Sequence, residues 1–124
     1  MTYSRLFECA HGIVISLSAD SRATRSGFAH DAKITVYPNN GTFCGYSVSA
    51  HCYYLNRTWE RYIYQTVLQQ ACHNAMECRA DELKPAFMNA HGYKKLTKKR
   101  AAEFMKMLKA DNEYSAIREV LNQL

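Results

Sequence analysis

Between Gly12 and Tyr54 apolar residues alternate with polar ones, whereas beyond Asn56 they recur every three or four positions. This change of period divides the chain into a sheet-forming part and a helix-forming part, because side chains repeat every second residue on a strand and every 3.6 on a helix. Gly12 to Ser18 puts Ile13, Ile15 and Leu17 on one face, and Asp31 to Tyr37 sets Ala32, Ile34 and Val36 against Lys33, Thr35 and Tyr37. Residues 19–30, ADSRATRSGFAH, carry neither period and predict a loop exposing Arg22 and Arg25. Pro38-Asn39-Asn40-Gly41 predicts a tight hairpin turn, since Asn-Gly accepts the positive φ angles it needs. The strand that follows would then run antiparallel, with Cys44, Tyr46, Val48, Ala50, Cys52 and Tyr54 facing inward and Ser47, Ser49, His51 and Tyr53 facing outward.

In the second half, Asn56 or Thr58 can cap a helix reaching about Arg79, whose apolar arc is Ile63, Tyr64, Val67, Leu68, Ala71 and Ala75. Residues 81–93, which contain Pro85 and Gly92, read as a connector with at most one helical turn. Thr97 can cap a second helix, with Ala101, Phe104, Met105 and Leu108 inward, and Asp111 or Asn112 a third, with Tyr114, Ile117 and Leu121 inward. The expectation is an α+β domain: a three-stranded antiparallel sheet packed by a long helix, followed by a C-terminal helical pair. A chain of 124 residues suits one domain over residues 1–124, with a sheet region at about 12–56 and a helical region at about 57–124.

Sixteen basic against eleven acidic residues give a net charge of +5, which favours an acidic partner, either nucleic acid or a negatively charged protein groove. No apolar run approaches the length of a membrane span and the N-terminus lacks a signal-peptide pattern, so a cytoplasmic protein with no membrane partner is expected. Five cysteines at irregular spacing (Cys9, Cys44, Cys52, Cys72, Cys78) predict free thiols and not a disulfide framework. Of the Cys–His pairs, only Cys9 and His11 could act on one ion. His51 and Cys52 would face opposite sides of a strand, and Cys72, His73 and Cys78 would diverge around a helix. No nucleophile elbow, phosphate loop or paired acids suggest catalysis, and no cofactor is implied. Asp81 and Glu82 read as residues that favour a helix start.

Two surface candidates remain. Trp59 and Tyr62 fall outside the apolar arc of the first helix, with Arg57 and Arg61 alongside. They either pack at the helix entrance or form an aromatic–arginine anchor for a protein partner, with base stacking a third possibility. Residues 94–109 carry Lys94, Lys95, Lys98, Lys99, Arg100, Lys106 and Lys109 against the single acid Glu103, a density that suits phosphate oxygens or an acidic protein face. A solvated helix face would have the same composition.

The stretch KKLTKKRAA, Lys94 to Ala102, resembles the start of the final helix of double-stranded-RNA-binding domains, which would give Lys94, Lys95 and Lys98 the role of phosphate contacts. Thr97 departs from that pattern, and a long helix stands where the family has a strand. The segments NRTWERYIYQTVL and DSRATRSGF, in a Tyr-rich and lysine-tailed chain, resemble small accessory proteins of bacteriophages and mobile elements, a class that includes anti-CRISPR inhibitors. That resemblance implies a non-enzymatic inhibitor, acting in the cytoplasm of an infected bacterial host, that binds a CRISPR effector nuclease and blocks its nucleic-acid binding or activity. The expected partner-binding residues are Arg22, Arg25, Arg57, Trp59, Arg61 and Tyr62. The alternative reading is a nucleic-acid-binding accessory protein that uses the basic helix, and the third is a small zinc-binding regulator.

Overall fold

The computed structural model describes residues 2–41, 44–54 and 60–124, with the backbone alone for Thr2, Tyr54 and residues 60–64. Four strands, β1 (Thr2–Glu8), β2 (Val14–Ala23), β3 (Phe28–Tyr37) and β4 (Tyr46–Tyr54), form one antiparallel sheet in sequence order. Three helices follow: α1 (Glu60–His91), α2 (Lys98–Ala110) and α3 (Asn112–Asn122). The α+β class and the antiparallel sheet agree with the sequence expectation, but the sheet has four strands, not three.

One face of the sheet is the core. Register sets Phe7, Ile15, Val36 and Tyr46 in one row, Leu17, Ile34 and Val48 in the next, and Tyr3, Ala19, Ala32 and Ala50 in a third. Ile15, Leu17, Ile34 and Val36 are completely buried. The row of alanines is matched on α1 by Ala71 and Ala75, also completely buried in the same cluster. Small side chains on both surfaces let helix and sheet approach closely. Ala116, Ile117 and Val120 of α3 complete this layer beside α1.

Three expectations are corrected. Residues 19–30 are not a loop: β2 runs to Ala23 and β3 starts at Phe28, joined by a short turn in which Thr24 N–H donates to the Gly27 carbonyl (2.7 Å). In place of an apolar pair, Ser21 Oγ and His30 Nδ1 meet across the strands at 2.5 Å, which is why no apolar alternation announces this end of the hairpin. The stretch between Tyr37 and Tyr46 is too long for a two-residue turn, and Cys44 lies exposed outside β4. Finally, α1 does not stop near Arg79 but continues for 32 residues to His91, absorbing Pro85.

The helix persists past proline because its two halves bury different faces. Val67, Leu68, Ala71, Cys72 and Ala75 point at the sheet, whereas Ala80, Leu83 and Phe87 belong to a second cluster with Phe104, Leu108 and Tyr114. At 3.6 residues per turn the two stripes are rotated by roughly 120° about the helix axis. Pro85 is exposed, so its missing N–H costs one hydrogen bond while Phe87, two residues on, remains packed. The C-terminal helices are also not a separate pair: α3 returns to the sheet layer, and α2 packs on the far half of α1 and on α3.

The seam between the two clusters is ionic. Arg79 donates from Nε to Asp111 Oδ2 and from a terminal nitrogen to Asp111 Oδ1, both at 2.9 Å, and reaches Glu113 at 3.1 Å. Asp111 caps α3 by accepting from Tyr114 N–H at 2.9 Å. Hydrogen bonding to Arg79 holds the Asp111 carboxyl below its ordinary range. Burial, reinforced by the Glu113 carboxylate, pushes the Tyr46 phenol well above its own.

Candidate functional site

A left-handed glycine builds the corner where α1 turns into α2. Gly92 has φ +66, its N–H donates to the Asn89 carbonyl (3.2 Å), and Tyr93 N–H donates to the Met88 carbonyl (2.9 Å). These paired bonds form a Schellman cap, and glycine meets its left-handed requirement without steric cost. Tyr93 is thereby laid against the helix end, 5.9 Å from the Phe87 ring and stacked on His91 at 5.1 Å. Gly92→Ala should destabilise the protein by about 1 kcal/mol, read from a denaturant melt. A neutral substitution would mean that this corner is not closed by a left-handed residue.

Thr97 caps α2, its hydroxyl accepting from Arg100 N–H at 3.4 Å, as the sequence predicts. Arg100 lies over the Tyr93 ring at 4.2 Å and donates to the Lys95 carbonyl at 3.0 Å. Glu103 accepts from the Tyr93 hydroxyl at 2.9 Å, and that bond raises the phenol's pKa. Of the basic residues expected to form a patch, Arg100 is therefore engaged in holding the corner together. Lys94, Lys95, Lys98 and Lys99 are all exposed, and among the described residues none forms an ion pair. They sit around the start of α2, where the helix dipole disfavours cations, so an anion placed there would relieve repulsion as well as gain attraction.

The second surface is the sheet face away from the helices. Here Asp31 accepts from Arg22 at 3.0 Å and is hydrogen-bonded to Nδ1 of His51, while Thr35 and Ser47 join their hydroxyls at 2.9 Å and Ser26 meets the Tyr53 hydroxyl at 2.6 Å. Ser18, Asp20, Asp31, Lys33, Ser49 and His51 line a shallow depression of about 400 Å³. Elsewhere on this face Tyr37 and Tyr53 are 40% and 42% exposed, so the face is polar but carries accessible rings. The alternation in β3 and β4 already placed Lys33, His51 and Tyr53 outward; the ion pairs that Asp31 makes depend on register, which no local pattern reveals.

Arg22 and Arg25 are exposed as expected, but on a strand end and a turn and not in a long loop, and Arg22 is paired with Asp31. Arg57 and Trp59 lie outside the described residues; Arg61 and Tyr62 fall in the first turns of α1, and their side chains lie outside them too. Among the described residues, no group of three or more His, Cys, Asp or Glu side chains is placed to hold a metal ion. Burial pushes the Cys72 thiol up to about 11, and burial with the Glu119 charge raises Cys9, so neither is a ready thiolate. No helix is long and apolar enough to cross a membrane among the described residues. Compared with known protein families, curated proteins and solved structures, the chain finds no match.

Proposed function

We propose that the protein works by binding and not by catalysis, as a nucleic-acid-binding accessory protein that docks on phosphate through the lysine-lined start of α2. One observation carries this reading: Lys94, Lys95, Lys98 and Lys99 are exposed and uncompensated on a corner fixed by a glycine cap, an aromatic stack and a threonine cap. A backbone that holds these cations close together, and need not itself be ordered on binding, suits a regular array of phosphates.

A phage-type inhibitor that occupies a bacterial CRISPR effector nuclease is the second reading. The uncovered polar sheet face supports it, since half-exposed tyrosines among hydrogen-bonding groups match the composition of protein interfaces. The two readings separate in one experiment, in which tagged protein is recovered from bacterial lysate with and without nuclease treatment. A nucleic-acid binder brings down nucleic acid and loses its protein companions on digestion. Retention of one protein partner after digestion would overturn the first reading in favour of the second.

A further inference from the structure

The two edges of the sheet are not alike. On β4, Asn74 of α1 donates to the Ser49 carbonyl at 3.1 Å, so the helix guards that edge. Nothing guards β1. The bond from Cys9 N–H to the Ile13 carbonyl (2.8 Å) fixes the alternation of its ladder with β2. Counting in twos from there, Phe7, Arg5 and Tyr3 turn their backbone groups toward β2, while Glu8, Leu6, Ser4 and Thr2 turn theirs away from the sheet. Among the described residues no hydrogen bond reaches those outward groups. The strand has no proline, lysine or bulge, its one inward charge, Arg5, is drawn over the Phe7 ring, and Leu6 is 63% exposed.

We propose that β1 pairs antiparallel with β1 of a second copy of this chain, about a two-fold axis at Leu6, giving a dimer with one continuous sheet. An antiparallel two-fold runs perpendicular to the sheet, so residues facing each other come from the same face. Centred on Leu6, it sets Leu6 on Leu6 of the second copy and Ser4 beside Glu8 of the second copy, a hydroxyl against a carboxylate. It also sets Arg5, already 4.5 Å over the Phe7 ring of its own chain, beside the second copy's Phe7 and away from the second copy's Arg5. Moving the axis one residue back sets Arg5 on Arg5, and one residue forward sets Leu6 on Glu8. Of these three registers, the Leu6 one alone avoids both the like-charge pair and the leucine–carboxylate pair, and this match of β1 with itself favours a second copy over an extended peptide from another protein.

Sedimentation velocity from micromolar to near-millimolar concentration, with hydrogen exchange at both ends of the range, tests this. The expected result is growth from the 14.2 kDa chain to twice that mass. Exchange at the Ser4, Leu6 and Glu8 amides should slow with concentration, whereas Arg5 and Phe7, already bonded to β2, should not change. Leu6→Lys, an exposed substitution, should weaken the dimer by roughly tenfold or more. A monomer throughout would overturn the proposal, and so would a dimer in which those three amides stay unprotected. Protection of the same amides only on adding another protein would show that β1 takes a foreign strand instead.

Discussion

Arg79→Ala is expected to lower stability by about 2–3 kcal/mol, because removing one member of a partly buried, charge-assisted hydrogen-bonded cluster leaves the others uncompensated. The Arg79 side chain is 14% exposed and its partners Asp111 and Glu113 are 16% and 18% exposed, so two carboxylates would face each other with little water between them. Glu82, 66% exposed at 3.4 Å, is a minor partner, and Glu82→Ala should change stability by less than about 0.5 kcal/mol. The cluster also sets an acid limb. Asp111 has a depressed carboxyl pKa, so its contribution is present above the unfolded value of about 3.9 and is lost as pH falls through the lower folded value. Chemical denaturation from pH 7 downward should show stability falling below about pH 5, and this slope should shrink in Arg79→Ala. A variant as stable as the parent, with the same acid slope, would show that the seam between the two clusters is held by apolar packing alone.

Replacing Lys94, Lys95, Lys98 and Lys99 together with alanine is expected to reduce affinity for duplex nucleic acid by roughly 10²–10⁴-fold at low salt, if each lysine neutralises about one phosphate. All four side chains are exposed and leave no described partner behind, so melting temperature should change little, and loss of binding without loss of fold is the informative outcome. Arg100→Ala differs in kind. It removes the cation over Tyr93 and the bond to the Lys95 carbonyl, so it should disturb the corner as well as its charge. An unchanged affinity in the quadruple variant would move the binding surface to the sheet face.

The strands that were legible are those whose inward positions are uniformly apolar, such as Ile15 and Leu17 in β2 and Ile34 and Val36 in β3. β1 was hidden because Arg5 occupies an inward position and Leu6 an outward one, the reverse of a half-buried pattern, as an edge strand tolerates. The far ends of β2 and β3 lack an apolar signal for a related reason, since Ser21 and His30 pair by a hydrogen bond where an apolar pair would mark the inward row. The end of α1 is not legible in the sequence because its apolar stripe rotates near Arg79, so the single apolar arc of residues 63–75 runs out there. Gly92, and not Pro85, is the true stop, and that distinction rests on a positive φ angle that no local pattern separates from an ordinary loop glycine. The caps at Thr97 and Asp111 were legible because they are local chemistry. The lysine corner was legible as charge, but not the fixing of Tyr93 by Phe87, His91 and Arg100 that makes it rigid.

The salt dependence of nucleic-acid affinity is the most direct measurement of the central claim. Anisotropy titrations of labelled duplex across ionic strength should give a linear plot of log affinity against log salt, with a slope of about −3 to −4 for some four phosphate contacts. The same plot for the four-lysine variant should be nearly flat. A slope near zero in the parent protein, or the same steep slope in both, would contradict the assignment of the α2 corner as the phosphate-binding surface.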